Sequence, residues 1–264
     1  MSILVKDIQV LIENFAPKEL AQEWDNIGLV AGKSTQKVSK ILLALDLLDA
    51  VIDEAVEIGA DLIITHHPPF LRPLMQINDN SPIGNRLLKL IESGIGLYVA
   101  HTNFDATNGG MNDILANILE LENIEPICEQ PNGAFMGRGG HLKTQMTVKQ
   151  LSVFVQKKLN TPYAVYCGEW DEIVTKVAVV GGSAANDAFF KSVKQAGCNA
   201  FITADIRYHN AQKALEMGLN LIDATHFGSE VVFANSLAKY IEKNLKIECV
   251  VSKIDGQVFK NGGV

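Results

Sequence analysis

Apolar and polar positions follow two rhythms along this chain. Short apolar runs of strand length are followed by stretches whose apolar residues recur every three or four positions, the period of a helix with one buried face. Residues 40–46 (KILLALD) read as a strand, 47–59 (LLDAVIDEAVEIG) as a helix, 60–65 (ADLIIT) as a strand, 83–93 (IGNRLLKLIES) as a helix and 96–100 (GLYVA) as a strand. The rhythm returns at 176–182 (KVAVVGG), 187–197 (DAFFKSVKQAG), 199–204 (NAFITA), 210–218 (NAQKALEMG) and 219–224 (LNLIDA). Residues 1–15 have the pattern of an amphipathic helix. Strand–helix–strand alternation predicts a largely parallel sheet with helices on its faces.

The two stretches read as copies. AVEIGADLIITHH aligns with SVKQAGCNAFITAD, so Gly59 falls on Gly197, Thr65 on Thr203 and His67 on Asp205; further on, Gly94 falls on Gly218. Any helix–Gly–strand unit shares part of this pattern, but two consecutive units in matching order favour duplication. The expected fold is therefore α/β, with two related lobes of largely parallel or mixed sheets, 1–128 and 129–264. Residues 129–141 (EQPNGAFMGRGGH) are turn-rich and lack apolar periodicity, so they are expected to be the boundary or a loop. Residues 142–148, 149–159 and 162–168 add a strand–helix–strand unit after it.

Composition narrows the class. The 264 residues suffice for two lobes with real cores, and 47% hydrophobic with 20% charged residues is ordinary for a globular protein. A formal net charge of −7 gives no global field for nucleic acid or anionic membrane, and no Lys/Arg run suggests a local one. No apolar stretch approaches the roughly 20 residues of a membrane span. Cys128, Cys167, Cys198 and Cys249 are scattered without a C-x-x-C, which suits reduced thiols and a cytoplasmic protein.

Chemistry concentrates at the ends of three predicted strands. THH (65–67), HTNFD (101–105) and THFGSE (225–230) each follow one, and parallel sheets bind ligands beyond the carboxyl ends of their strands. The segments offer His66, His67, His101, Asp105, His226 and Glu230, a donor set for zinc or a mid-row transition metal. Six donors exceed one tetrahedral ion; two ions about 3.5–4 Å apart would use them. Adjacent His66 and His67, leaving a strand in opposite directions, could then each serve a different ion. Each piece has a plainer reading: an H-x-x-x-D spacing also makes helix-surface pairs, and Glu230 suits the first turn of a helix. Their joint position at strand exits is what the plain readings leave unexplained. The site is thus expected at the strand ends between the lobes, with 224–264 a candidate to pack back on the first lobe and complete it.

The segments EWDNIGLVAG (23–32), THHPPF (65–70), HTNFDA (101–106), MGRGGHL (136–142), TADIRYHNAQ (203–212) and ATHFGSE (224–230), taken in order, resemble the GTP cyclohydrolase 1 type 2 homologue family, also called NIF-three-like. The resemblance runs over nearly the whole chain. It implies a dinuclear site with His66, His67, Asp105, His226 and Glu230 as ligands, Glu230 bridging, and His101 beside it as a weak ligand or proton shuttle. It also implies a homohexamer, a trimer of dimers. The function expected is a hydrolase using two divalent ions (zinc, iron or manganese), whose metal-bound hydroxide attacks a small-molecule substrate, a nucleotide or related heterocycle. The alternative is a non-catalytic metal-binding interaction or regulatory protein. Arg138, beside the glycines of GRGG (137–140), is the candidate for substrate phosphate, although a plain glycine loop reads equally well. Trp24, Asp25 and Asn26 either line the cleft or form an Asx turn, with the turn favoured. Asp205 and His209 are expected to support the ligands from behind, and His141 to be an ordinary loop histidine.

Overall fold

The apolar runs become strands and the periodic stretches helices in the computed structural model, which describes residues 2–260. The fold is mixed α/β with two sheets, each containing parallel and antiparallel strands. The described chain divides into two units, residues 2–104 with 231–256, and residues 105–230 with 257–260.

The first unit contains α1 (Val5–Phe15), β1 (Gly28–Ala31), β2 (Lys40–Ala44), α2 (Asp49–Ile58), β3 (Leu62–Thr65), α3 (Pro82–Glu92) and β4 (Gly96–Val99). The chain leaves it within a short helix, α4 (Thr102–Ala106). The second unit contains α5 (Met111–Ile118), β5 (Leu121–Glu129), β6 (Phe135–Thr147), α6 (Val148–Leu159), β7 (Val165–Cys167), β8 (Ile173–Ser183), α7 (Asp187–Gln195), β9 (Ala200–Ala204), α8 (Tyr208–Glu216), β10 (Asn220–Asp223) and α9 (His226–Glu230). The chain then returns to the first unit with α10 (Val232–Asn244) and β11 (Glu248–Val251).

In the first unit the sheet order is β1-β4-β3-β2-β11, parallel except for β1. β3 and β4 are buried along their whole length, as central parallel strands covered on both faces must be. One face packs Val51, Ile52 and Ala55 of α2 and Leu90 of α3 against Leu42, Ile63 and Leu97. α10 packs on β2 and α1, and its Phe233, Leu237 and Ile241 are fully buried. Burying each such side chain contributes about 1.5–3 kcal/mol. Local signals set the helix ends: Ser81 accepts the Gly84 N–H with Pro82 in the first turn, and α2 stops at Gly59 in left-handed backbone.

In the second unit the order is β5-β6-β8-β9-β10-β7, with β8, β9 and β10 parallel and the outer pairs antiparallel. Phe190 and Val193 of α7 pack with Ala178, Phe201 and Leu221 in its core. Thr147 and Gln150 form a reciprocal capping box at the start of α6.

Two expectations change here. The stretch 129–141, read as a boundary or loop, is mostly sheet: β5 ends at Glu129 and β6 runs from Phe135 through Thr147, which also places His141 on an exposed strand position. The glycines that hid the strand are packing residues, since a Cβ on Gly137 would meet Val180 Cγ2 at 2.9 Å and one on Gly140 would meet Leu121 Cβ at 2.9 Å. The chain accordingly crosses between units after Phe104, earlier than the expected break at 128/129, because β5 pairs with β6 and β6 with β8. Among the described residues no helix is long and apolar enough to cross a membrane.

Candidate metal centre

β3 ends at Thr65, and Pro68 and Pro69, which lack N–H donors, follow the two histidines. His67 N–H donates to Leu45 O (3.0 Å), and Thr65 Oγ1 donates to His67 O (2.9 Å), which fixes the exit. The two rings are tied to opposite neighbours of β3. His66, fully buried, donates from Nδ1 to Ala100 O at the end of β4 (2.9 Å); His67 donates from Nδ1 to Asp46 Oδ1 beyond β2 (2.7 Å). His101 completes the group, donating from Nδ1 to Asp25 Oδ1 (2.8 Å).

The three rings lie 5.2 Å (His66–His67), 5.0 Å (His66–His101) and 5.6 Å (His67–His101) apart between centroids. One ring nitrogen from each falls within 4.8 Å of the others. An oxygen acceptor at Nδ1 fixes the proton there and makes Nε2 the basic nitrogen, the arrangement that orients metal-binding histidines. Phe104 and Phe233 wall the buried side, with Phe233 4.9 Å from the His66 ring. Low-polarity walls strengthen whatever charge the histidines face.

Asp25 is the residue that sequence reasoning placed in a turn. It accepts the N–H of Asn26 (2.7 Å), the next residue rather than the one two positions on that defines an Asx turn, and it holds His101 and accepts from Thr102 N (3.1 Å) and the Thr102 hydroxyl. Burial pushes its carboxyl up, while the bonds and charge of His101 and the bonds of Thr102 outweigh burial and hold it below the usual range. Trp24, half exposed, meets the His101 ring edge-on at 5.9 Å. Asn103 fixes the same turn, accepting the His101 N–H (3.0 Å) and donating to Ala16 O (2.7 Å).

The second unit brings together another set. His226 opens α9 and Glu230 closes it one turn later, with Nε2 of His226 2.9 Å from Oε2 of Glu230. His226 Nδ1 donates to Asp205 Oδ2 (2.7 Å), so Asp205 does stand behind a histidine. Glu230 is nearly fully buried, and Gly182 at the end of β8 makes the room. A Cβ on Gly182 would lie 2.2 Å from Glu230 Oε1 and 3.4 Å from His226 Nε2, and its φ of +63° favours glycine. Gly182 N–H also donates to Ser229 Oγ (3.0 Å). The sequence showed this glycine only as a strand end; its signal was the second glycine of VVGG where a strand should continue. Asp105 is buried on α4, its carbonyl accepting Asn112 Nδ2 (3.0 Å).

Other candidates are placed elsewhere. Arg138, expected to meet substrate phosphate, is buried on β6 and engaged by the fold. Its Nε and Nη2 donate to Asp113 (2.7 and 2.8 Å), Nη1 to Phe135 O and Gly137 O, and Nη2 to Thr107 O. A buried guanidinium needs such pairing, and this one is a structural ion pair. His209 is exposed on α8 and contacts Gln212 (3.0 Å).

A family model described as Duf34/NIF3 (NGG1p interacting factor 3) matches residues 3–257. A Clostridium perfringens protein named GTP cyclohydrolase 1 type 2 homolog is 37% identical, over 94% of this chain and 96% of that protein. Among solved structures, Staphylococcus aureus SA1388, a hypothetical protein, superposes with a TM-score of 0.91 at 26% identity over 99% of this chain and 100% of that one. Reduced HcgD from Methanocaldococcus jannaschii superposes with a TM-score of 0.82 at 32% identity, over 96% and 99%.

Proposed function

The chain belongs to the Duf34/NIF3 family, and from that premise we propose a divalent-metal-dependent hydrolase acting on a nucleotide or related heterocycle. The observation that carries the reading is the triad of the first unit, in which each of three converging histidines gives Nδ1 to an oxygen acceptor. Imidazole and carboxylate donors of this kind fit zinc, iron or manganese. The ligands proposed, following the family resemblance, are His66, His67, Asp105, His226 and Glu230, with Glu230 bridging about two ions. Bound there, such ions supply Lewis-acid polarisation and lower the pKa of water toward about 7.

The chain's own residues supply the rest. Asp25 holds the His101 proton on Nδ1, so Nε2 takes and returns protons beside the site. Asp46 and Asp205 fix the rings of His67 and His226 in the same way. Five protein ligands for two ions leave coordination positions for substrate, which favours catalysis over a closed structural site. Self-association as a trimer of dimers belongs to the same proposal, and light scattering tests it.

A turnover screen of nucleotides and heterocycles, run with the identified metal restored, tests the activity. His101→Gln is expected to keep metal and lose about 10²-fold in rate, and His226→Gln to lose both. If His101→Gln empties the site as well, His101 is a ligand and the shuttle role falls. A chain that retains metal but turns over nothing leaves the regulatory role as the better reading.

A further inference from the structure

The second unit carries a cleft beside His226 and Asp205, most of whose lining the metal reading leaves unused. It lies beyond the carboxyl ends of β9 and β10, the edge where parallel strands bind ligands, and has a volume of about 370 Å³. Tyr163, Tyr166 and Phe259 line it with Asp205, Asp223 and His226. Phe259 is 62% exposed and Tyr166 36%, so flat apolar surface is held in water at the mouth of a concave site.

Both carboxylates are fixed. Asp223 accepts the Thr225 N–H on Oδ1 (2.9 Å) and the Ile206 N–H on Oδ2 (3.1 Å), and Asp205 accepts from His226 on Oδ2. A carboxylate oxygen has room for a second donor, so each retains acceptor capacity toward the cleft. The backbone at both rims is left-handed, with φ of +53° at Asp205 and +63° at Thr225, a conformation a β-branched residue keeps only where its surroundings enforce it. Among the described residues no lysine or arginine lines the cleft, so they offer an anionic phosphate no partner. Its complement is flat, neutral and rich in N–H donors.

We propose that this cleft seats a planar nitrogen heterocycle that stacks on Tyr166 and Phe259 and presents ring and exocyclic N–H groups to Asp223 and Asp205. The inference rests on the hydrolase reading, because it sets the substrate ring beside His226. A base with adjacent ring N–H and amino donors, as in guanine, fits a carboxylate edge. Adenine presents a ring nitrogen acceptor beside its amino group and is disfavoured there.

Calorimetric titration of the full chain as purified, with guanosine and adenosine as probes and metal content measured alongside, tests it. Saturable guanosine binding is expected, tighter than adenosine, and weakened about tenfold or more in Phe259→Ala and in Tyr166→Ala. Phe259 is exposed, so its removal leaves the core intact; a thermal melt confirms that. Asp223→Asn is expected to narrow the preference over adenosine. Guanosine binding unchanged in both aromatic variants, no saturable binding, or adenosine binding as tightly as guanosine would overturn the proposal. Metal content is a separate readout: a metal-loaded chain that binds no guanosine sinks this cleft alone, and a metal-free chain that binds it sinks the metal centre alone.

Discussion

The β2–α2–β3–α3–β4 segment of the first unit and the β8–α7–β9–α8–β10 segment of the second share a framework and differ at its exits. Gly59 and Gly197 end the first helices with φ of +66° and +74°, and Gly94 and Gly218 follow the second with +69° and +65°. Asp61 N–H donates to Lys40 O and Asn199 N–H to Lys176 O; Ala100 N–H donates to Thr65 O and Ala224 N–H to Thr203 O. Even the lysines match, Lys40 Nζ reaching Ile58 O and Lys176 Nζ reaching Ala196 O. Beyond the strands the likeness stops. The first unit presents His66, His67 and His101 with aspartates behind two of them, whereas Asp205 takes the place of His67 in the second and supports His226. The scaffold is repeated, and the chemistry is written in the few residues after each strand.

Variants in the two segments test this likeness. The largest effect is expected at the aspartates behind the histidines: Asp46→Asn and Asp205→Asn should each weaken metal binding by roughly 10–100-fold, measured by competition with a chelator. Similar losses would make the two exits equivalent in function; a loss in only one would make the other aspartate structural. Gly182→Ala should follow, costing about 2–4 kcal/mol in urea unfolding, since it combines left-handed backbone with a Cβ placed against Glu230. A neutral result there would mean that Glu230 sits elsewhere in solution.

Gly59→Ala and Gly197→Ala form a cleaner pair. Nothing lies within 4 Å of a Cβ at either position, so only the backbone conformation is charged, about 1 kcal/mol each. Unequal costs would argue against a shared framework. The smallest effect separates Asp61 from Asn199. Both accept backbone N–H groups at the start of the first strand, from Ser39 and Lys40 and from Thr175 and Lys176. Burial pushes the Asp61 carboxyl up, but the bonds from Ser39 and Lys40 win and hold it low. Its contribution is therefore present above the ordinary carboxylate range and lost as pH falls through the lowered value. Asp61→Asn should cost under about 1 kcal/mol at neutral pH, because the group is partly exposed, and the gap should close in acid. A gap independent of pH would remove the charge from the account.

Much of this was legible from the chain alone. The helix–Gly–strand spacing exposed the repeat because left-handed helix ends need glycine, and the histidines stood out because strand exits are short and local. What escaped depends on partners distant in sequence. Arg138 looked available until Asp113 claimed it, and Asp25 read as a turn because His101 lies far along the chain. β6 was hidden by Gly137, Gly139 and Gly140, whose small size serves Ile127, Val180 and Leu121 on neighbouring strands. Gly182 carries no chemistry of its own; only the buried Glu230 beside it gives it meaning.

The proposed metal centre has Glu230 as its bridging ligand. Its most direct test is the metal content of the purified chain, measured by elemental analysis after chelator-free preparation, beside the contents of Glu230→Ala and His67→Ala. About two transition-metal ions per chain are expected in the wild type, with loss of both in Glu230→Ala and of mainly one in His67→Ala. Trace metal in the wild type, or a Glu230→Ala protein that keeps its full complement, would contradict it.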